Sequence, residues 1–100
     1  MFVKIHKSHN LRPVIAICDS ELVGEKFEEG KRQLDIRENF YKGEEVNERK
    51  LLNIIKRQAI EDASFNIVGK ESIKIALESG IISKEGVHKI KGIPFSLVLL

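Results

Sequence analysis

The residues best suited to chemistry sit early in the chain. His6 and His9 are followed by Cys18 and Asp19, types that can pair a nucleophile with its base or hold a metal. Hairpin geometry keeps them apart. If the chain turns near Asn10, Cys18 faces Phe2 and lies four residues along its strand from the partner of His6. At the rise of an extended chain that is about 13 Å, beyond proton transfer or shared ligation. Cys18 therefore reads as a small core residue.

Asp19, Glu21, Glu25, Glu28 and Glu29 form an acidic block. Gathered carboxylates can bind magnesium or act as acid and base. Here Asp19 is placed to cap a short helix with Leu22, Val23 and Phe27 as its apolar stripe, closed at Gly30. On that helix Glu21, Glu25 and Glu28 recur at i, i+4 and i+7, the pattern of a solvated face. The spacing brings no set of oxygens to one point, so neither a metal nor a cofactor is expected. A metal-assisted hydrolase would need Asp19, Glu28 and Asp35 to meet within about 5 Å. No zinc, P-loop, dinucleotide or nucleophile-elbow pattern occurs, and no catalytic residue is assigned. The Asn66 to Gly69 turn could offer helix N-terminal amides to an anion.

Cations give a clearer pattern. At helical spacing Arg49, Lys50, Asn53, Lys56 and Arg57 share an arc of roughly 120° opposite Leu51 and Ile55. No acid interrupts it, so it suits a row of phosphates as well as an ordinary solvated face. Arg32, Arg37 and Lys42 accompany Phe40 and Tyr41, and aromatics beside cations suit single-stranded RNA. The competing use for Phe40 is burial, and for Tyr41 a place capping the core with its hydroxyl in water.

The elements that must position these groups follow from periodicity. Phe2 to His6 and Pro13 to Cys18 read as a strand hairpin, the second strand apolar on both faces and therefore central. Gln33 to Arg37 alternates as a half-exposed strand, and Phe40 to Gly43 turns the chain. Asn47 to Glu61 is a helix with Asn47 as N-cap and Leu51, Leu52, Ile55 and Ala59 inward. Ser64 to Val68 is a strand, and Lys70 to Ser79 a helix with Ile73, Ala76 and Leu77 inward, ended by Gly80. Ser83 starts one more turn. His88 to Ile90 and Phe95 to Leu99 are closing strands around Gly92, Ile93 and Pro94. The expected architecture is α+β: a compact single domain over residues 1–100, with a mixed, mainly antiparallel sheet, an N-terminal hairpin and two to three helices.

Composition sets the outer limits. The chain has 100 residues, 42% hydrophobic and 32% charged, which is the balance of a folded globular domain. A net charge of +2 leaves any basic character local, and a single cysteine excludes an internal disulfide and fits a reducing cytoplasm. The longest apolar runs, Val14 to Cys18 and Leu97 to Leu100, are far short of the roughly twenty residues that span a bilayer.

One resemblance spans the chain. Val3-Lys4-Ile5-His6, Ala16-Ile17-Cys18-Asp19, Glu21-Leu22, Gly24, Phe27-Glu28-Glu29-Gly30-Lys31, Phe40-Tyr41, Asn66-Ile67-Val68-Gly69 and Gly92-Ile93-Pro94 resemble the archaeal family labelled domain of unknown function 424. That family follows the proline with histidine, where this chain has Phe95. The resemblance implies a cytoplasmic archaeal protein, loosely associated with translation and suspected of binding RNA. With the cation pattern, the expectation is a non-catalytic RNA-binding protein using Arg32, Arg37, Tyr41, Lys42, Arg49, Lys50, Lys56 and Arg57. RNA or the ribosome is the expected partner, and a membrane is not. The alternative is a protein-interaction or homodimerisation module.

Overall fold

The fold is organised around Val14–Cys18 (β2), in which Ile15, Ala16, Ile17 and Cys18 are all fully buried. A strand apolar on both faces needs a strand on each edge and a layer over each side. The computed structural model describes residues 1–7 and 12–99 and supplies all four. Phe2–His6 (β1) pairs antiparallel with β2 in the expected register, Phe2 opposite Cys18 and His6 opposite Val14.

The chain then runs through Lys26–Glu29 (β3), Arg32–Asp35 (β4), the one-turn helix Glu38–Tyr41 (α1), Glu44–Glu45 (β5) and the helix Glu48–Ile60 (α2). It returns as Ser64–Val68 (β6), parallel to β2 with Cys18 beside Val68. Parallel neighbours require a long crossover, and α2 provides the return. The helix Lys70–Ser79 (α3), His88–Ile90 (β7) and Ile93–Val98 (β8) complete a six-stranded sheet of order β5-β1-β2-β6-β8-β7. Every described pairing except β2 with β6 is antiparallel. The domain is α+β, with β3 and β4 as a separate two-stranded sheet.

Strand alternation divides the core in two. Ile15, Ile17, Phe65 and Ile67 face Leu51 and Ile55 of α2 and Ile73 and Ala76 of α3. Ala16, Cys18 and Val68 face the other way, against Leu34, Ile36 and Tyr41 from β4 through α1.

The two long helices begin as their residue types dictate. The Asn47 side chain accepts a hydrogen bond from the Lys50 amide at 2.9 Å, using one of the free donors at the start of α2. Asn47→Ala is expected to lower stability by about 1 kcal/mol in urea unfolding, without changing the slope of the transition. Gly80 closes α3 in the left-handed region at φ 82°. Ile75 of α3 is buried as well as Ile73 and Ala76, because α2 packs alongside.

The helix expected from Asp19 toward Gly30 does not form. Ser20–Leu22 makes a single 3-10 turn, and Gly24 then takes φ 87°, which a continuing right-handed helix excludes. Exchanged bonds follow, from the Gly24 amide to the Ile36 carbonyl at 2.7 Å and from the Ile36 amide to the Glu25 carbonyl at 2.9 Å. These lead into the β3–β4 hairpin, where Phe27 opposes Leu34. Gly30, at φ 62°, is the first residue of its two-residue loop rather than a helix end. Glu21, Glu25 and Glu28 therefore share no helical face. The closing strands also shift: Ile93 and Pro94 lie inside β8, leaving Lys91 and Gly92 as the hairpin turn. Among the described residues no helix is long and apolar enough to cross a membrane.

Candidate functional site

The parallel strands β2 and β6 end side by side and release Asp19 and Gly69 at one rim of the sheet. Gly69 occupies the N-cap position of α3 but has no side chain to offer. Asp19 supplies the missing group from the neighbouring strand. Its Oδ1 accepts from the Ser72 amide at 2.8 Å and the Ser72 hydroxyl at 2.7 Å, and its Oδ2 accepts from the Glu71 amide at 3.1 Å. The local cap expected of Asp19 is absent, since its side chain makes no bond to the 3-10 turn that follows it. The carboxylate is only 3% exposed, and these charge-assisted bonds compensate its burial.

Asp19, Glu21 and Glu71 come within 4.8 Å of one another, the last two exposed. Asp19, Glu28 and Asp35 do not assemble: Glu28 and Asp35 belong to the β3–β4 hairpin, where Asp35 stands opposite Lys26. Both oxygens of Asp19 already hold α3. A cation bound there would compete with three hydrogen bonds, so the geometry serves a helix cap better than a metal.

Cys18 and Tyr41 are buried on the same side of the sheet. Burial pushes the Cys18 thiol from 9.0 up to about 12, with the charges of Asp19 and Glu21 adding to it. Burial likewise raises the Tyr41 phenol from 10.0 to about 12. A thiol so held stays protonated at neutral pH and is no nucleophile. His6 sits at the other end of β1, stacked on Phe40 with ring centroids 4.6 Å apart. Its Nε2 lies 2.8 Å from the Phe40 carbonyl; a carbonyl only accepts, so this nitrogen carries the proton. His9 lies outside the described residues.

Both raised groups bind their protons more tightly folded than unfolded. Above the ordinary values of 9.0 and 10.0 the unfolded chain ionises while the folded chain does not. Their contribution to stability is therefore complete below pH 9 and is lost as the pH rises toward 12. In an alkaline titration, tyrosinate absorbance is expected to rise together with the loss of helical circular dichroism, not ahead of it.

The cations singled out in the sequence separate into two groups. Arg49, Lys56 and Arg57 are exposed along α2 with no ion pair among the described residues, whereas Lys50 pairs with Glu44. Lys42 pairs with Glu38 at 3.5 Å, and Arg37 is exposed just before α1. Arg32 is committed as well, its guanidinium 5.9 Å above the Phe95 ring and 3.4 Å from the Lys89 carbonyl. Tyr41 is 7% exposed, its ring at 80° to that of Phe40 with centroids 5.0 Å apart, so it has no open face for a base. The six-stranded sheet lies between α2 and Tyr41, so the basic helix and the aromatic turn form no common surface.

A second surface was not apparent from the sequence. Between α3 and β7 runs a groove of about 590 Å³ with Ile73, Leu77, Val87 and Pro94 in its lining. Lys70 and Lys74 border it from α3, and Lys84 and Lys89 from the segment leading through β7. Its local trace is the one-turn spacing of Lys70 and Lys74; the other bank comes from a separate part of the chain.

A family model described as "Protein of unknown function (DUF424)" matches residues 6–100. The chain belongs to that family. The fold of this DUF424 chain is also that of a crystal structure of an uncharacterized conserved protein from Methanopyrus kandleri. The two share 22% identity over 98% of this chain and 90% of the other, with a TM-score of 0.83. No curated protein matches the DUF424 chain. Within the fold, the segments carrying the family resemblance are largely architectural. Ala16 to Asp19 and Asn66 to Gly69 are the adjoining strand ends that build the α3 cap, and Phe27 to Lys31 is most of β3 and the turn of the hairpin covering the second core.

Proposed function

We propose that this DUF424 chain is a non-catalytic cytoplasmic RNA-binding protein that meets its target through the outer face of α2. The observation that carries this reading is the row Arg49, Lys56 and Arg57, exposed and without ion pairs among the described residues. They stand on a helix whose start is fixed by Asn47 and whose inner face is anchored by Leu51 and Ile55. A fixed helix presents its cations at constant spacing, which suits the repeating charge of a phosphate backbone. A place beside the translation machinery is part of the proposal, and its support is what the resemblance read from the sequence implies. Tyr41 and Arg32 have no part in this interface, the first because it is buried and the second because it covers Phe95.

Contacts of this kind release counterions, so binding weakens with salt. With three phosphate contacts to a single strand, the logarithm of affinity is expected to fall with a slope of about −2 against the logarithm of salt concentration. Fluorescence anisotropy with labelled ribosomal RNA fragments, at 20 to 200 mM salt, tests this. Absence of binding at the lowest salt overturns the proposal. An interaction-module reading is favoured by a different observation, the groove beside α3.

A further inference from the structure

We infer that the groove between α3 and β7 docks an amphipathic helix of a protein partner, with aliphatic residues on its buried side and acidic residues flanking them. The inference does not depend on RNA binding at α2.

The lining decides the class of occupant. Ile73, Leu77, Val87 and Pro94 are aliphatic, with no ring on which a base could stack. The flanking cations are all lysine, point charges that hold carboxylates without the fork geometry that reads base edges. None of Lys70, Lys74, Lys84 and Lys89 has an ion pair among the described residues, so none of the four is held by a described acid. One acid, Glu78, lies in the same lining.

Spacing and length fit a helix. α3 has ten residues, a border of about 15 Å, equal to nearly three turns of a partner lying alongside. Lys70 and Lys74 are one turn apart and match acids spaced i, i+4 on the partner. Lys89 belongs to the same end as Lys70, because Lys89 pairs with Pro94 and the Pro94 carbonyl accepts from the Gly69 amide at 2.8 Å. Glu78 lies two turns further along α3, so the partner's acids belong at the Lys70 and Lys89 end. Aliphatic knobs between these acids would enter the groove in the mode of helix-in-groove recognition. A second copy of this chain is a poor occupant, since its α2 exposes Arg49, Lys56 and Arg57 and its α3 is itself one bank of the groove.

The test is a nitrogen-15 NMR titration of the intact chain with three probes. The first is a synthetic helical peptide with leucines at i, i+3, i+4 and i+7 and glutamates on both flanks. The second is a scrambled peptide of identical composition, and the third a single-stranded RNA oligonucleotide. The patterned peptide is expected to shift the amides of Ile73, Lys74, Leu77, Val87 and Lys89, and to bind at least tenfold more tightly than the scrambled one. The variant K74E/K89E should weaken the patterned peptide by about tenfold or more, as loss of several rim charges predicts. K56E/R57E should leave it unchanged. Unchanged amide dispersion in each variant establishes that it folds. Equal binding of the scrambled peptide, no groove shifts at millimolar peptide, or groove shifts produced instead by the RNA and abolished in K74E/K89E would each overturn the inference.

Discussion

Gly69→Ala is expected to be strongly destabilising, lowering stability by about 3 kcal/mol or more. Two costs combine. Gly69 has φ 110°, a conformation that residues with a Cβ rarely adopt. An added Cβ would also collide with the Asp19 carboxyl group, which is packed directly against the glycine. Relief of that collision displaces the carboxylate and frees the Glu71 and Ser72 amides at the start of α3. Asp19→Ala isolates the second cost by removing the acceptor alone. Its expected loss is about 2–4 kcal/mol, since hydrogen bonds to a buried charged acceptor are worth more than neutral ones. Asp19→Asn retains an acceptor for Ser72 and should cost less. Urea unfolding followed by circular dichroism ranks the three. A loss for Asp19→Ala no greater than that for the exposed Asp35→Ala would show that the cap contributes nothing.

The double reversal K56E/R57E is expected to reduce RNA affinity by about a hundredfold at low salt, with little effect on stability. Both side chains are exposed and make no ion pair among the described residues, so the fold loses no described ion pair when they change. Of the three proposed phosphate contacts only Arg49 would remain, and the salt slope should fall from about −2 to about −0.7. Repulsion from the new carboxylates adds to the loss of contacts. Glu44→Gln should act in the opposite direction, because it frees Lys50 from its ion pair and adds a cation to the same row. Anisotropy titrations at several salt concentrations measure both effects. A reversal that leaves affinity and slope unchanged would remove α2 from the interface.

The architectural part of the structure was largely legible. α2 and α3 follow from their apolar periodicity, the Asn47 cap and the Gly80 ending, all contained within single turns of chain. β2 declared itself as a central strand through an apolar run on both faces, and its register with β1 followed from a hairpin of fixed parity.

The failure at Lys26–Glu29 has a physical cause. Acids at i, i+4 and i+7 and an apolar Leu22, Val23 and Phe27 satisfy a helix locally. The pairing of Phe27 with Leu34 and the positive φ of Gly24 settle the matter through contacts between segments. The candidate sites divide in the same way. The cation row on α2 is a property of one helix, so its spacing could be read directly. Tyr41 beside Lys42 suggested a stacking platform because proximity along the chain does not report burial, and its ring is covered from the β4 side of the sheet.

By itself the sequence determined the long helices, the strand hairpin, the α+β class and one basic helix face, since each depends on neighbours within a few residues. Only the tertiary structure decided that Asp19 caps α3, that α2 and Tyr41 lie on opposite faces, and that four lysines border one apolar groove. Each of those depends on side chains brought together from separate elements by the parallel pairing of β2 with β6 and the antiparallel return through β8. No local spacing records which distant donor a buried carboxylate will meet.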